Sequence, residues 1–169
     1  MPKESNMSAL NVSKYILGKV NRSNFAEFDE GVSNLKLQKL LYYAQKTHYS
    51  VYDEPIFSEQ LEAWQHGPVV AKVYQQFKKY GSKAIDIIGE ESFIQERESI
   101  VYKKLMILDF VWDKYSPYEA WALRDLTHRE PEYINNYIED MNISIPLAEI
   151  KSKELKSEYL EYERLLCDF

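Results

Sequence analysis

The chain is poor in the residues that commit a protein to redox, phosphate or membrane chemistry. It holds one cysteine, Cys167, in 169 residues. A lone cysteine forms no internal disulfide, which fits a reducing compartment, so a cytoplasmic location is expected. The five glycines are scattered singly, so no glycine-rich phosphate loop is present. A Gly-x-Ser-x-Gly elbow is also missing. No basic segment followed by an apolar one opens the chain, and no long apolar run appears, so no membrane association is expected. Positive charge is in deficit: 21 Lys and Arg face 27 Asp and Glu, a net charge of −6. An acidic chain is a poor general ligand for nucleic acid and suits a partner with a basic face. No repeat, low-complexity block or flexible linker interrupts it.

What the chain has in quantity is tyrosine, 14 of them. Each buried hydroxyl needs a partner, so some of these rings should lie half-exposed at a core rim or an interface. The length suits one domain that buries enough surface to fold without metal or disulfide.

The most informative stretch is Glu62-Ala-Trp-Gln-His-Gly-Pro-Val-Val-Ala71, continuing to Tyr74. Gly67 permits backbone angles closed to other residues. Pro68 suits a first helical turn, where its missing N–H costs nothing. Trp64 is therefore expected to enter a sharp corner that launches a helix at Pro68. Val70, Val73, Tyr74, Phe77 and Tyr80 form that helix's apolar stripe, and Gly81 ends it.

Other helices follow from spacing. The first runs from Ser8 or Asn11, with Val12, Tyr15, Ile16 and Val20 on one face. Ser33 caps the second, which carries Leu37, Leu40, Leu41, Ala44 and His48. Residues 56–66 read as extended. The segment 84–89 is either a short strand, paired with 56–62, or a plug of core side chains. A long helix spans about 96–115. Ser116-Pro117 opens a fifth, with Tyr118, Trp121, Ala122 and Leu126 inward. Pro131 opens a sixth, carrying Ile134, Tyr137, Ile138 and Met141. Residues 143–150 read as a connector, and about 151–166 as a charged amphipathic helix. The fold class is mainly α: a single multi-helix domain with at most a small two-stranded feature.

The catalytic inventory is thin. Cys167 sits beside Asp168, which works against a thiolate. Glu62 and His66, joined by His128, are the best candidates for a metal site, but their spacing matches no specific pattern. Arg124, Asp125, Arg129 and Glu130 around His128 read first as ion pairs at a helix end. Lys36, Lys39 and Lys46, with Lys72, Lys78 and Lys79, raise the question of a basic patch, though no helix-turn-helix pair emerges. No cofactor or metal is expected, and no enzyme.

Three blocks occur in a recognisable order: Leu35-Lys-Leu-Gln-Lys-Leu-Leu-Tyr-Tyr-Ala44, the Glu62 to Val70 stretch followed by Val73-Tyr74 and Phe77 to Tyr80-Gly81, and Trp121-Ala-Leu-Arg-Asp-Leu-Thr-His128. Together they resemble the SocA-like, or Panacea, antitoxin domain family, which includes phage-associated GepA-like proteins. The resemblance implies a helical domain over 10–142, after a disordered N-terminus at 1–9 and before a C-terminal helical extension at 143–169. It implies an antitoxin that neutralises a protein toxin, encoded by a neighbouring gene, through direct binding. The alternative is a DNA-binding regulator of phage or toxin–antitoxin origin. The residues that match family motifs are Lys39, Tyr42, Trp64, His66, Gly67, Pro68, Val69, Tyr74 and His128. Lys39, His66 and His128 are the polar ones, and the better candidates for a shared functional groove. The extension after residue 142 departs from the pattern and would dock either a partner or its own domain.

Overall fold

The computed structural model describes residues 7–22, 31–86 and 101–168. Seven helices surround a small sheet among these residues: α1 (Ala9–Arg22), α2 (Asn34–Tyr52), β1 (Glu62–Trp64), β2 (Gly67–Val69), α3 (Ala71–Phe77), α4 (Tyr102–Tyr115), α5 (Ala120–Thr127), α6 (Pro131–Asn136), β3 (Ile143–Ser144) and α7 (Lys153–Cys167). None of these helices is long and apolar enough to cross a membrane.

The central element is α2, packed against α1, α3, α4, α5, α7 and β2. Ser33 caps it as its sequence requires, accepting from Lys36 N at 3.2 Å. The helix is buried on nearly every side, so its polar residues lie inside as well. Several of them stay there because they hold the backbone of a segment wrapped around the helix. Gln38 Oε1 accepts from Val70 N at 3.0 Å. Gln45 accepts from Ile56 N at 2.8 Å and donates to Phe57 O at 3.1 Å. His48 Nδ1 donates to Glu54 O at 2.6 Å. Asn34 Nδ2 donates to Tyr74 O at 3.0 Å.

The corner at Trp64 is a β-hairpin. Pro68 stands in strand β2, paired with Ala63, and the helix starts only at Ala71. The sheet has three strands, not two, in the order β2-β1-β3, with Ala63 also opposite Ile143. Pro68 is tolerated because β2 is an edge strand. The closing pair Trp64–Gly67 takes the ladder bonds, and at the next pair the N and O positions face away from the neighbour. Segment 84–86 does not pair with 56–62. Ala84 bridges to Ser33, Ile85 N donates to Val32 O at 2.9 Å, and Ile85 is buried. The readings of residues 87–89 and of helix over 96–100 lie outside the described residues.

Further along, α5 begins at Ala120 rather than Pro117, because Ser116 ends α4 with its N–H on Trp112 O. Its inner face is Leu123 and Thr127, with Leu126 partly buried against the core as expected, while Tyr118, Trp121 and Ala122 are exposed. Ile134, Ile138 and Met141 are likewise exposed. After α6 the chain adds β3 to the sheet, buries Ile145 and Ile150, and lays α7 on α2 and α4 through Leu155 and Tyr159. Ser152 caps α7 and also donates its N–H to Ser50 Oγ of α2 at 2.9 Å.

Candidate functional site

The hairpin turn is held from below by α2 and from the side by α5 and α6. Lys39, fully buried on α2, donates from Nζ to Pro68 O at 2.8 Å. Pro68 O is free for this because it sits on the open edge of the sheet. Gly67 has φ of +105°, a region that disfavours a side chain. A Cβ there would fall 2.6 Å from Thr127 Oγ1 and 2.8 Å from Lys39 Nζ. Glycine therefore lets the hairpin close down on a buried amine and a hydroxyl. Thr127 Oγ1 itself donates to Arg124 O at 2.8 Å, which explains a polar residue on the inner face of α5.

His128, at the end of α5, sets its ring between two carbonyls. Nδ1 lies 2.8 Å from Arg124 O, and Nε2 lies 2.9 Å from Gln65 O in the turn. Tyr133 of α6 donates to Trp64 O at 2.6 Å. Trp64 is half-buried, donates from Nε1 to Glu62 Oε2 at 2.7 Å, and meets Tyr74 edge-to-face at 5.0 Å. Val69 is buried in β2. His66 is exposed at the turn, 5.6 Å from the exposed Trp121 ring. Arg124 bridges these two: Nε donates to His66 Nδ1 at 3.3 Å, and the guanidinium lies 5.3 Å from the Trp121 ring centre.

Burial, then the nearby Arg124 guanidinium, pushes the Lys39 amine down from its usual range to about 7. His66 is lowered too, first by desolvation and then by Arg124, Lys39 and His128. Burial raises the Tyr133 phenol.

Eight of the nine motif residues thus gather at the hairpin: Lys39, Trp64, His66, Gly67, Pro68, Val69, Tyr74 and His128. Tyr42 belongs to a second cluster. Its hydroxyl donates to Glu132, and Lys46 Nζ reaches Glu130 Oε2 at 2.7 Å and Glu132 Oε1 at 2.5 Å. Tyr43 donates to Glu130 Oε1 at 3.3 Å. This polar knot ties α2 to the start of α6, and burial followed by the Glu132 charge pushes the Tyr42 phenol well up. A buried pair of this kind fixes register more than it adds stability.

Glu62, His66 and His128 do not converge. The Glu62 carboxylate is taken by its own hairpin's indole, and the His128 nitrogens face carbonyls. Among the described residues no group of three His, Cys, Asp or Glu side chains could hold a metal ion. The lysines of α2 form no surface stripe either: Lys39 and Lys46 are buried, and Lys36 donates to Ser116 O at 2.6 Å. Arg124 and Asp125 do pair, at 3.0 Å. Sequence reasoning passed over Thr127, Tyr133, Lys46 and Glu132 as partners. Their signal lay in polar residues at inward helical steps, which an apolar-stripe reading discards.

The sequence model of the family described as "Antitoxin SocA-like, Panacea domain" matches residues 37–133, more than half the chain. The matched span holds all but the first three residues of α2, the hairpin, α5 and the start of α6. A curated relative, Antitoxin SocA of Caulobacter vibrioides, is 42% identical over 60 residues. That segment is 36% of this chain and 32% of the relative, so the similarity covers about a third of each protein. No solved structure matches the chain. With its hairpin and the helices that pin it inside the matched span, the chain belongs to the SocA-like Panacea domain family.

Proposed function

We propose that this protein is an antitoxin that neutralises a cognate protein toxin by binding it directly, without catalysing a reaction. Family membership and the likeness to Antitoxin SocA support an antitoxin role. The observation that carries the binding mode is the hairpin–α5 corner. It offers the Trp121 indole, 59% exposed, and the Arg124 guanidinium on α5, beside the His66 imidazole on a hairpin whose backbone is held by three side-chain bonds from Lys39, His128 and Tyr133. Tryptophan and arginine dominate the energetics of protein interfaces when they stand on a rigid base. The motif residues Lys39, Gly67, Pro68 and His128 then serve as positioning residues that shape the corner, and His66 stands on its surface.

The test is co-expression with the product of the adjacent reading frame. Growth should be rescued, and the two proteins should co-purify. Rescue by Trp121→Ala and Arg124→Gln variants equal to that of the parent would remove this face from the interface. A toxic neighbour that neither binds nor is neutralised would remove the antitoxin role. The reading as a DNA-binding regulator has less support, because of the lysines that prompted it those of α2 are buried or engaged, which leaves the exposed Lys72, Lys78 and Lys79 alone to carry it.

A further inference from the structure

The chain carries a net charge of −6, yet this corner gathers Lys39, His66, Arg124 and His128. The acidic groups beside them are Asp125, in a pair on Arg124 Nη1 at 3.0 Å, and Glu62, held by Trp64 Nε1. The Asp125 pair is exposed and joins adjacent residues, so it contributes little and yields readily to a better-placed acceptor. Arg124 Nε is fixed on His66 and its plane lies by Trp121, which leaves Nη2 without a partner among the described residues. A guanidinium held this way keeps its fork pre-organised for a planar carboxylate. The exposed Trp121 ring supplies apolar area next to it.

We infer that the Arg124–Trp121–His66 corner is a seat for a carboxylate borne by a polypeptide, an acidic side chain next to an apolar one. The inference rests on the direct-binding reading above and names the chemistry of the partner segment. A nucleic-acid backbone needs a stripe of cations, and this corner offers one permanent surface charge on an otherwise acidic chain. A single acid with an apolar neighbour matches one fork and one indole. The general expectation that an acidic protein meets a basic partner is therefore reversed locally at this face.

A bound carboxylate has a second effect. It offsets the repulsion that Arg124 exerts on Lys39 and His66, so both groups hold protons more tightly in the complex. Lys39 is faced by Arg124 and His66 across the hairpin; Thr127 is its uncharged neighbour. Binding should therefore take up protons and strengthen as pH falls.

The experiment is a nuclear-resonance titration of the isolated full chain, following tryptophan indole N–H signals. The probe is an acetylated, amidated pentapeptide of sequence Gly-Glu-Leu-Asp-Gly; the control replaces its acids with Gln and Asn. The acidic probe should shift the Trp121 signal saturably at millimolar concentration. Arg124→Gln should weaken it at least fivefold, and Arg124→Lys about threefold, since charge survives but the fork does not; Trp121→Ala serves to assign the signal, which disappears in that variant. Affinity should rise about threefold or more from pH 8.5 to 6.5 in the parent, and less in His66→Gln. Equal shifts by acidic and neutral peptides would overturn the inference. So would a thymidine decanucleotide that moves the same signal at lower concentration than the peptide. The toxin is absent from this titration, so its failure leaves the growth-rescue result standing on its own.

Discussion

Lys39 titrates far below its ordinary range, and its replacement gives the sharpest test of the site's geometry. The amine is buried with Pro68 O as its acceptor, and its titration falls from 10.5 to about 7. The unfolded chain holds a proton on this lysine up to pH 10.5, whereas the folded chain releases it near 7. Between these values the unfolded state binds more protons, so stability rises with pH. Below the lower value both states are charged, and the burial cost is constant. Integrating the linkage from pH 7 to 9 gives a gain of about 2 kcal/mol. At pH 7 the remaining penalty, relative to a neutral amine, is about 4 kcal/mol. Lys39→Met keeps the length of the side chain and removes the proton. It also leaves the Pro68 carbonyl without its donor, at a cost of about 1–3 kcal/mol. The variant should therefore be about 1–3 kcal/mol more stable than the parent at pH 7 and about equal to it at pH 9. Urea unfolding followed by tryptophan fluorescence at pH 7, 8 and 9 reads this directly. The window stops there because phenols such as Tyr43 and Tyr115 are pushed up by burial. Their ionisation in the unfolded chain lowers stability above pH 10. Parallel stability curves for parent and variant across pH 7–9 would refute the account of a desolvated amine beneath the hairpin.

Two further outcomes follow from the same architecture. Gly67→Ala places a Cβ against Thr127 and Lys39 at positive φ, so a loss of about 2–4 kcal/mol is expected in the same unfolding assay; a loss below about 1 kcal/mol would show that the hairpin relaxes freely. Ending the chain at residue 142 removes β3 and uncovers surfaces that Ile145, Ile150, Leu155 and Tyr159 bury; the shortened protein should lose cooperative thermal unfolding, and a sharp transition near that of the full chain would show that α7 is dispensable to the fold.

Much of the helical frame was legible because long elements carry long patterns. Ser33 announces α2 by its capping oxygen, and Pro131 opens α6. The hairpin was not legible. Strands of three and two residues are too short to display an alternating pattern, and Gly67-Pro68 is equally at home before a helix and in an edge strand. The face of α5 was misread because apolar character suggested that Trp121 points inward. The inner positions go to Leu123 and to Thr127, whose hydroxyl is satisfied by the Arg124 carbonyl. The gathering of Lys39 with Gly67 and His128 is a matter of tertiary placement, since 28 and 89 positions separate Lys39 from them along the chain. The motif order marked these residues as related without saying how they touch.

The burial of α2 on nearly every side has a consequence for where such a chain can vary. Nearly every position on that helix is engaged, even the glutamines and lysines, so each tolerates little drift. Freedom to vary is thereby left to the outer shell, to the outward positions of α5, α6 and α7. Such a scaffold can thus change its outer faces while the mast beneath them stays the same.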